Sequence, residues 1–220
     1  MQKIYEHPKT RYAWNFSNLG ISYFEIPKTG SSSTKTVLFR LNYGLAAEQE
    51  LNIGGGQLSR NFPDSIVKNF DNKSLLNKIL IIYRDPVSRA KSAYRSIFLG
   101  RQKMQGSLSE YFENYFPSYI GSPPEDGLLN HHKPMSWFFP NYLLDDPRSI
   151  FVKTENLNSI PALLELQMEH IPTRESKMPH LLNVNKKIGE IDMTDAEVKV
   201  ALGPSFDSDF EMYEKLRKTE

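Results

Sequence analysis

Lys78-Ile79-Leu80-Ile81-Ile82-Tyr83 runs directly into Arg84-Asp85-Pro86 and then into Val87-Ser88-Arg89-Ala90-Lys91-Ser92-Ala93-Tyr94-Arg95. The first stretch is continuously apolar between Lys78 and Arg84, the pattern of a strand covered on both faces. Pro86 stands where a helix takes an N1 proline, and the spacing predicts a helix over 87–99. A second strand–loop–helix unit lies upstream. Residues 21–26 (ISYFEI) form a β-rich run ended by Pro27, 28–33 are a loop of small residues, and Val37, Leu38 and Leu41 set a helical period over 34–43. A third strand is predicted at 149–152, with a helix over about 160–169.

Strands alternating with helices predict an α/β fold: three layers, α/β/α, around a mainly parallel sheet. The strands at 21–26, 78–83 and 149–152 are expected to be neighbours, since ligands bind beyond the carboxyl ends of such strands. Elsewhere the sequence predicts an irregular lead-in over 1–20, a loop at Gly54-Gly55-Gly56 and a short helix over 64–70. It further predicts a helix over 107–115, a surface loop over 121–127, an aromatic helix over 135–144 and a loop-rich stretch over 171–193. A helix over 194–202 opens on the capping pair Thr194 and Glu197, and a last helix covers 208–218. No repeat or low-complexity tract interrupts the chain.

The chain has 220 residues, which suits a single domain over 1–220. Lys and Arg number 27 against 26 Asp and Glu. A near-neutral chain does not coat nucleic acid by bulk charge, so no nucleic-acid partner is expected and any anion site must be local. There is no cysteine, hence no thiolate nucleophile, thiolate metal site or disulfide. No apolar run approaches the roughly 20 residues of a membrane span, and the N-terminus has no signal-type apolar stretch. The corresponding expectation is a cytoplasmic protein of bacterial type for a full-length chain, or a Golgi-lumen protein if a membrane anchor has been removed.

Two loops carry chemistry. In Ile26-Pro27-Lys28-Thr29-Gly30-Ser31-Ser32-Ser33-Thr34-Lys35, a strand enters a hydroxyl-rich turn and then a helix. Backbone N–H groups and hydroxyls there suit a phosphate, with Lys28 as a point charge beside it. A Walker A loop would need a glycine where Thr34 stands, followed by a magnesium-holding acid on another strand. An ordinary capped helix is the plainer interpretation of the same residues. The second loop begins at Arg84. From there to Lys103 six basic residues (Arg84, Arg89, Lys91, Arg95, Arg101, Lys103) face one acid, Asp85. Arg84 suits a bidentate grip on phosphate, and Ser92, two helical turns on, suits a hydroxyl contact. A solvated basic helix face is the alternative.

Together the two loops resemble the PAPS-dependent sulfotransferases. Pro27-Lys28-Thr29-Gly30-Ser31-Ser32-Ser33 is similar to that family's 5′-phosphosulfate loop. Arg84-Asp85-Pro86 with Ser92-Ala93-Tyr94-Arg95 is similar to its 3′-phosphate motif, in the same order and about 50 residues on. The closest branch is the carbohydrate (Golgi-type) sulfotransferases and their bacterial relatives. His131-His132-Lys133-Pro134, Phe151-Val152-Lys153-Thr154-Glu155, Pro179-His180-Leu181-Leu182-Asn183-Val184-Asn185 and Asp209-Phe210-Glu211-Met212-Tyr213-Glu214 echo its later elements, so the likeness runs from about residue 21 to 218.

The resemblance implies a P-loop-NTPase-like sulfotransferase fold, 3′-phosphoadenosine 5′-phosphosulfate (PAPS) as donor, PAP as product, no metal, and in-line sulfuryl transfer to a hydroxyl or amine. The implied acceptor is a saccharide or another small hydroxyl compound. It places Lys28, Thr29, Gly30, Ser31, Ser32, Ser33 and Thr34 at the phosphosulfate, Arg84 and Ser92 at the 3′-phosphate, and Lys186, beside Lys187, over the nucleotide. Many relatives take a general base from the loop after the second strand, but residues 53–60 here hold no His, Asp or Glu. His131 is the base expected instead, ahead of His132, Glu25 and Glu48. Tyr111, Phe112, Tyr115, Phe116, Tyr119, Trp137 and Phe138 suit a core or a sugar-stacking platform, with core favoured by their spacing. The competing functions are a P-loop-type nucleotide kinase and a non-catalytic nucleotide-binding protein of the same fold.

Overall fold

The structure, a computed structural model, describes residues 12–45, 61–68, 74–121, 129–164 and 191–218. They fall into two compact units. One takes its described residues from Tyr12–Arg84 and Tyr142–Val184, the other from Asp85–Asn141 and Asn185–Glu220.

The first unit is built on a five-stranded sheet. Its strands are β1 (Tyr12–Phe16), β2 (Ile21–Phe24), β3 (Ile66–Lys68), β4 (Lys78–Tyr83) and β5 (Ser149–Lys153), in the order β3-β1-β2-β4-β5. β2, β4 and β5 are parallel neighbours, with Tyr23 opposite Leu80 and Leu80 opposite Ile150, as the sequence predicts. β1 is antiparallel to β2 and to β3, which makes the sheet mixed. Leu80 and Ile82 point into a core shared with Phe16, Tyr23, Leu38 and Phe39. Ile79, Ile81 and Tyr83, which alternate with them, are buried too. Both faces of β4 are therefore covered, and that explains its unbroken apolar run.

Two local expectations fail here. The lead-in over 1–20 is not irregular throughout, because β1 and a 3₁₀ turn at Ser17–Leu19 fill its described part. Tyr12–Phe16 alternates only weakly, since Ala13, Trp14 and Phe16 are all buried. The helix predicted over 64–70 is a 3₁₀ turn at Pro63–Ser65 and then β3. Ile66 and Val67 are β-branched, and pairing with β1 overrides the helical spacing.

Helix α1 (Ser31–Tyr43) follows β2 and begins three residues before the predicted start. It ends at Gly44 in the left-handed conformation, with the Leu45 N–H on the Arg40 carbonyl.

The second unit is helical. Helix α2 (Pro86–Ala93) has Pro86 in its first turn and the Asp85 carboxylate on the Ser88 N–H at 2.7 Å. It runs on as eight π-helical residues, Tyr94–Arg101. Helices α3 (Leu108–Asn114), α4 (Phe116–Gly121), α6 (Asp195–Leu202) and α7 (Asp207–Arg217) complete the unit, and α5 (Ile160–Leu163) belongs to the sheet unit. Thr194 and Glu197 form the expected capping box on α6, and Ser107 and Glu110 form another on α3.

Tyr94, Phe98, Tyr111, Phe116, Leu202 and Phe206 share one core. Tyr111, Phe112, Phe116 and Tyr119 are thus core residues, as their spacing favours. The helix predicted over 135–144 is two 3₁₀ turns, Met135–Trp137 and Asn141–Leu144, separated at Pro140, whose ring cannot continue a helix. The loop at Gly54-Gly55-Gly56, residues 122–127, residues 165–169 and most of 171–193 lie outside the described residues. No helix among the described residues is long and apolar enough to cross a membrane.

Candidate functional site

The loop after β2 is fastened through its carbonyl oxygens. The Thr29 hydroxyl donates to the Ile26 carbonyl at 2.8 Å. Arg84 Nη1 donates to the Lys28 carbonyl at 3.1 Å. The Thr154 hydroxyl lies 3.2 Å from the Thr29 carbonyl and 3.0 Å from that of Tyr83. Lys28 sits at φ 70°, a conformation that a non-glycine residue holds only when its surroundings impose it. Gly30 has φ 84° and caps α1 without a side chain. A Cβ there would stand 2.6 Å from Leu157 Cδ1, so both backbone and packing select glycine.

This arrangement brings together Lys28, Thr29, Gly30, Ser31, Ser32, Ser33, Thr34 and Arg84, all within the first unit. The two loops meet in a direct hydrogen bond from Arg84 to the Lys28 backbone. Carbonyl oxygens repel an anion, and here three of them are tied back. The loop leads straight into the start of a thirteen-residue helix with no acid in its first turn. Thr29 is fully buried with its hydroxyl on Ile26, and the Thr34 hydroxyl reaches back to the Gly30 carbonyl at 3.2 Å. Both shape the loop through their side chains. Ser31 and Ser32 are half-buried on the first turn. Behind the loop, Lys35 Nζ pairs with Glu25 at 2.6 Å and Trp14 Nε1 donates to the other Glu25 oxygen at 3.0 Å. Glu25, a candidate base from sequence, is held by both partners.

The second unit holds Ser92, His131 and His132. Ser92 is half-buried on α2. His131 and His132 end a 3₁₀ turn, Leu129–His132. His132 is buried, and its Nδ1 shares a 2.6 Å hydrogen bond with the Tyr111 hydroxyl. Burial, reinforced by Tyr119 and opposed by Arg89, raises the Tyr111 pKa well above that of an ordinary tyrosine. His132 is thereby committed to the core, whereas His131 is half-buried. Lys186, Lys187, Glu48 and residues 53–60 lie outside the described residues.

The roles of three residues escape sequence reasoning. Thr154 follows β5 as Arg84 follows β4, and a hydroxyl just past a parallel strand is the only signal of its role. Arg89 is buried and donates to the Lys133 carbonyl at 2.7 Å, so the alternative of a solvated basic helix face does not hold at this position. Asp209, also buried, accepts from the Met135 N–H at 2.5 Å and the Ser136 N–H at 2.9 Å. Burial raises the Asp209 pKa, against the lowering effects of Arg89 and the two N–H groups. Each stands on the apolar stripe of its helix, Arg89 with Pro86, Ala90 and Ala93, Asp209 with Met212 and Leu216. A lone charge on such a stripe is the available sign.

Comparison with known protein families matches residues 13–214 to the Sulfotransferase family. No curated protein and no solved structure matches the chain.

Proposed function

The chain belongs to the sulfotransferase family, and from that premise we propose that it is a PAPS-dependent enzyme transferring a sulfuryl group to a saccharide hydroxyl. Membership supports sulfuryl transfer as the reaction class and does not favour a nucleotide kinase. The observation that carries the donor assignment is the hydrogen bond from Arg84 to the Lys28 carbonyl, which joins the two phosphate-type loops.

The residues fit such a donor by their chemistry. Lys28 and the amides at the start of α1 hold the 5′-phosphosulfate, with the Ser31, Ser32 and Ser33 hydroxyls beside them. Arg84 grips the 3′-phosphate, with Ser92 assigned to it from the family motif and Lys186 assigned to the nucleotide by its charge. PAPS, when bound, supplies the sulfuryl group on a phosphate leaving group. Lys28 and the α1 amides stabilise the charge that gathers on that phosphate as the bond to sulfur breaks, and such fixed dipoles need no reorganisation during the step. His131 takes the acceptor proton at a ring nitrogen, which a neutral imidazole offers near pH 7. The saccharide acceptor rests on the carbohydrate-sulfotransferase resemblance, and a single domain over 1–220 is part of the same proposal.

Calorimetry with PAP, AMP and ATP with Mg²⁺ tests the donor. Wild type should bind PAP without metal and prefer it to AMP. Arg84→Ala should lose about 2–3 kcal/mol of PAP affinity, as expected for a charge-assisted pair, together with that preference. Tighter binding of ATP with Mg²⁺ would restore the kinase reading. Undiminished discrimination in Arg84→Ala would remove Arg84 from the 3′-phosphate.

A further inference from the structure

We propose that Arg89 is a positioning residue for His131, tying the base-bearing segment to the helix that carries Ser92. The inference rests on the reading of His131 as the base and of PAPS as donor.

Residues 131–136 contain only short 3₁₀ turns, yet four helices hold them. From α2, Arg89 donates to the Lys133 carbonyl at 2.7 Å and reaches the His131 carbonyl at 3.5 Å. From α7, Asp209 accepts the Met135 and Ser136 N–H groups. The Tyr111 hydroxyl on α3 bonds the ring of His132, and Lys133 Nζ donates to the Ile120 carbonyl on α4. The Arg89 guanidinium also lies 5.6 Å from the centre of the Phe138 ring.

Burying an ion is costly, and apolar replacements of buried ions are often as stable or more so. Two buried charged side chains, Arg89 and Asp209, nevertheless direct hydrogen bonds at four backbone groups of one six-residue segment. That is what fixing a backbone in place requires, and adding stability does not require it. Tyr111 holds His132 in the core, so the fixed backbone presents His131 as the neighbouring imidazole. Arg89 precedes Ser92 by three residues on one helix. The base segment and a residue assigned to the nucleotide are therefore tied to the same helix. Lysine at position 89 would keep the charge but lose the planar fork that reaches two carbonyls. Displacements of about 1 Å at a reacting group cost up to about a hundredfold in rate.

The test is PAP release from PAPS, with water and with a panel of mono- and disaccharides as acceptors. Wild type, Arg89→Lys, His131→Ala and the double variant are compared, with PAP affinity and melting temperature measured for each. The expected result is a folded Arg89→Lys with PAP affinity within about threefold of wild type and kcat lower by about tenfold or more. In the His131→Ala background the same change should lower the residual release no further, because the group it positions is gone. An unchanged kcat in Arg89→Lys, or an equal fall in both backgrounds, overturns the proposal. If Arg89→Lys does not fold, Asp209→Asn takes its place, with the same outcomes required; if neither folds, both residues are structural and the proposal falls. Wild type that releases no PAP, or His131→Ala that releases it normally, overturns the underlying reading and this proposal with it. PAP release by wild type that His131→Ala loses, with a silent Arg89→Lys, overturns this proposal alone.

Discussion

Residues 26–30 and residues 131–136 are both stretches outside regular α-helix and strand that are held in place, and they are held by opposite means. In the first, neutral or singly charged donors come from the loop itself and from the ends of adjacent strands, and all go to carbonyl oxygens: Thr29 to Ile26, Arg84 to Lys28, Thr154 to Thr29. In the second, buried ions from distant helices take carbonyls and N–H groups alike, Arg89 and Asp209 being 44 and 74 residues from the partners they hold most closely. The difference follows from what each stretch presents. A loop that meets an anion through its amides needs its carbonyls turned away. A segment that presents one side chain needs its backbone pinned from both sides.

The largest expected effect breaks this comparison at Lys28. Its carbonyl belongs to the scaffold, whereas the proposed function assigns its ammonium to the chemistry. Lys28→Ala should leave the loop in place and remove charge that matters most as the leaving phosphate develops its own. Turnover of PAPS should fall by about 10²–10³, the scale seen when one preorganised donor to developing charge is lost, while PAP affinity falls far less. Calorimetry and steady-state rates on the same preparation check this. Equal losses would make Lys28 a ground-state anchor only, and the loop would then be a binding site without the catalytic role assigned to it.

The first region is legible in the sequence because its residues are consecutive. Strand, Pro27, hydroxyl turn and helix sit within one stretch, and the Arg84 loop repeats the arrangement. The three parallel strands are legible for the same reason, each being a short apolar run with its own boundaries. The second region is not. His131-His132-Lys133-Pro134 can be singled out, but Tyr111, Arg89 and Asp209, which decide which histidine is buried, are separated from it by long stretches of chain. β1 and β3 escape a sequence reading because a strand of mixed pattern gains its identity from pairing, and pairing is a tertiary property.

A middle-sized effect sharpens the contrast from the side of the first region. Thr154→Val keeps shape and removes the hydroxyl shared between the Thr29 and Tyr83 carbonyls. Chemical denaturation should show a loss of about 1 kcal/mol, the usual worth of one such bond. PAPS turnover should fall too, by less than in Lys28→Ala, because Arg84 still holds the Lys28 carbonyl. A stability loss with unchanged turnover would mean that Arg84 alone sets the loop.

The smallest effect is a control within the unit that holds residues 131–136. The Asp192 carboxylate accepts from the Ser109 N–H at 3.0 Å and from the Ser109 hydroxyl, joining the chain before α6 to the start of α3. The hydroxyl bond is the main cause that lowers the Asp192 pKa to about 2, from the ordinary 3.8. A carboxylate whose folded pKa is depressed stabilises the fold above its unfolded value and loses that contribution as pH falls through the folded one. The contribution should thus be complete at pH 7, fade as pH falls below about 3.8, and vanish below about 2. Asp192 is solvent-exposed, so screening keeps the effect small. Asp192→Asn should melt slightly lower than wild type at pH 7, with the gap closing as the pH approaches 2, and should turn over PAPS at the wild-type rate. A fall in turnover at neutral pH would show that surface ties in this unit also govern the base segment, and the special place given to Arg89 and Asp209 would be lost.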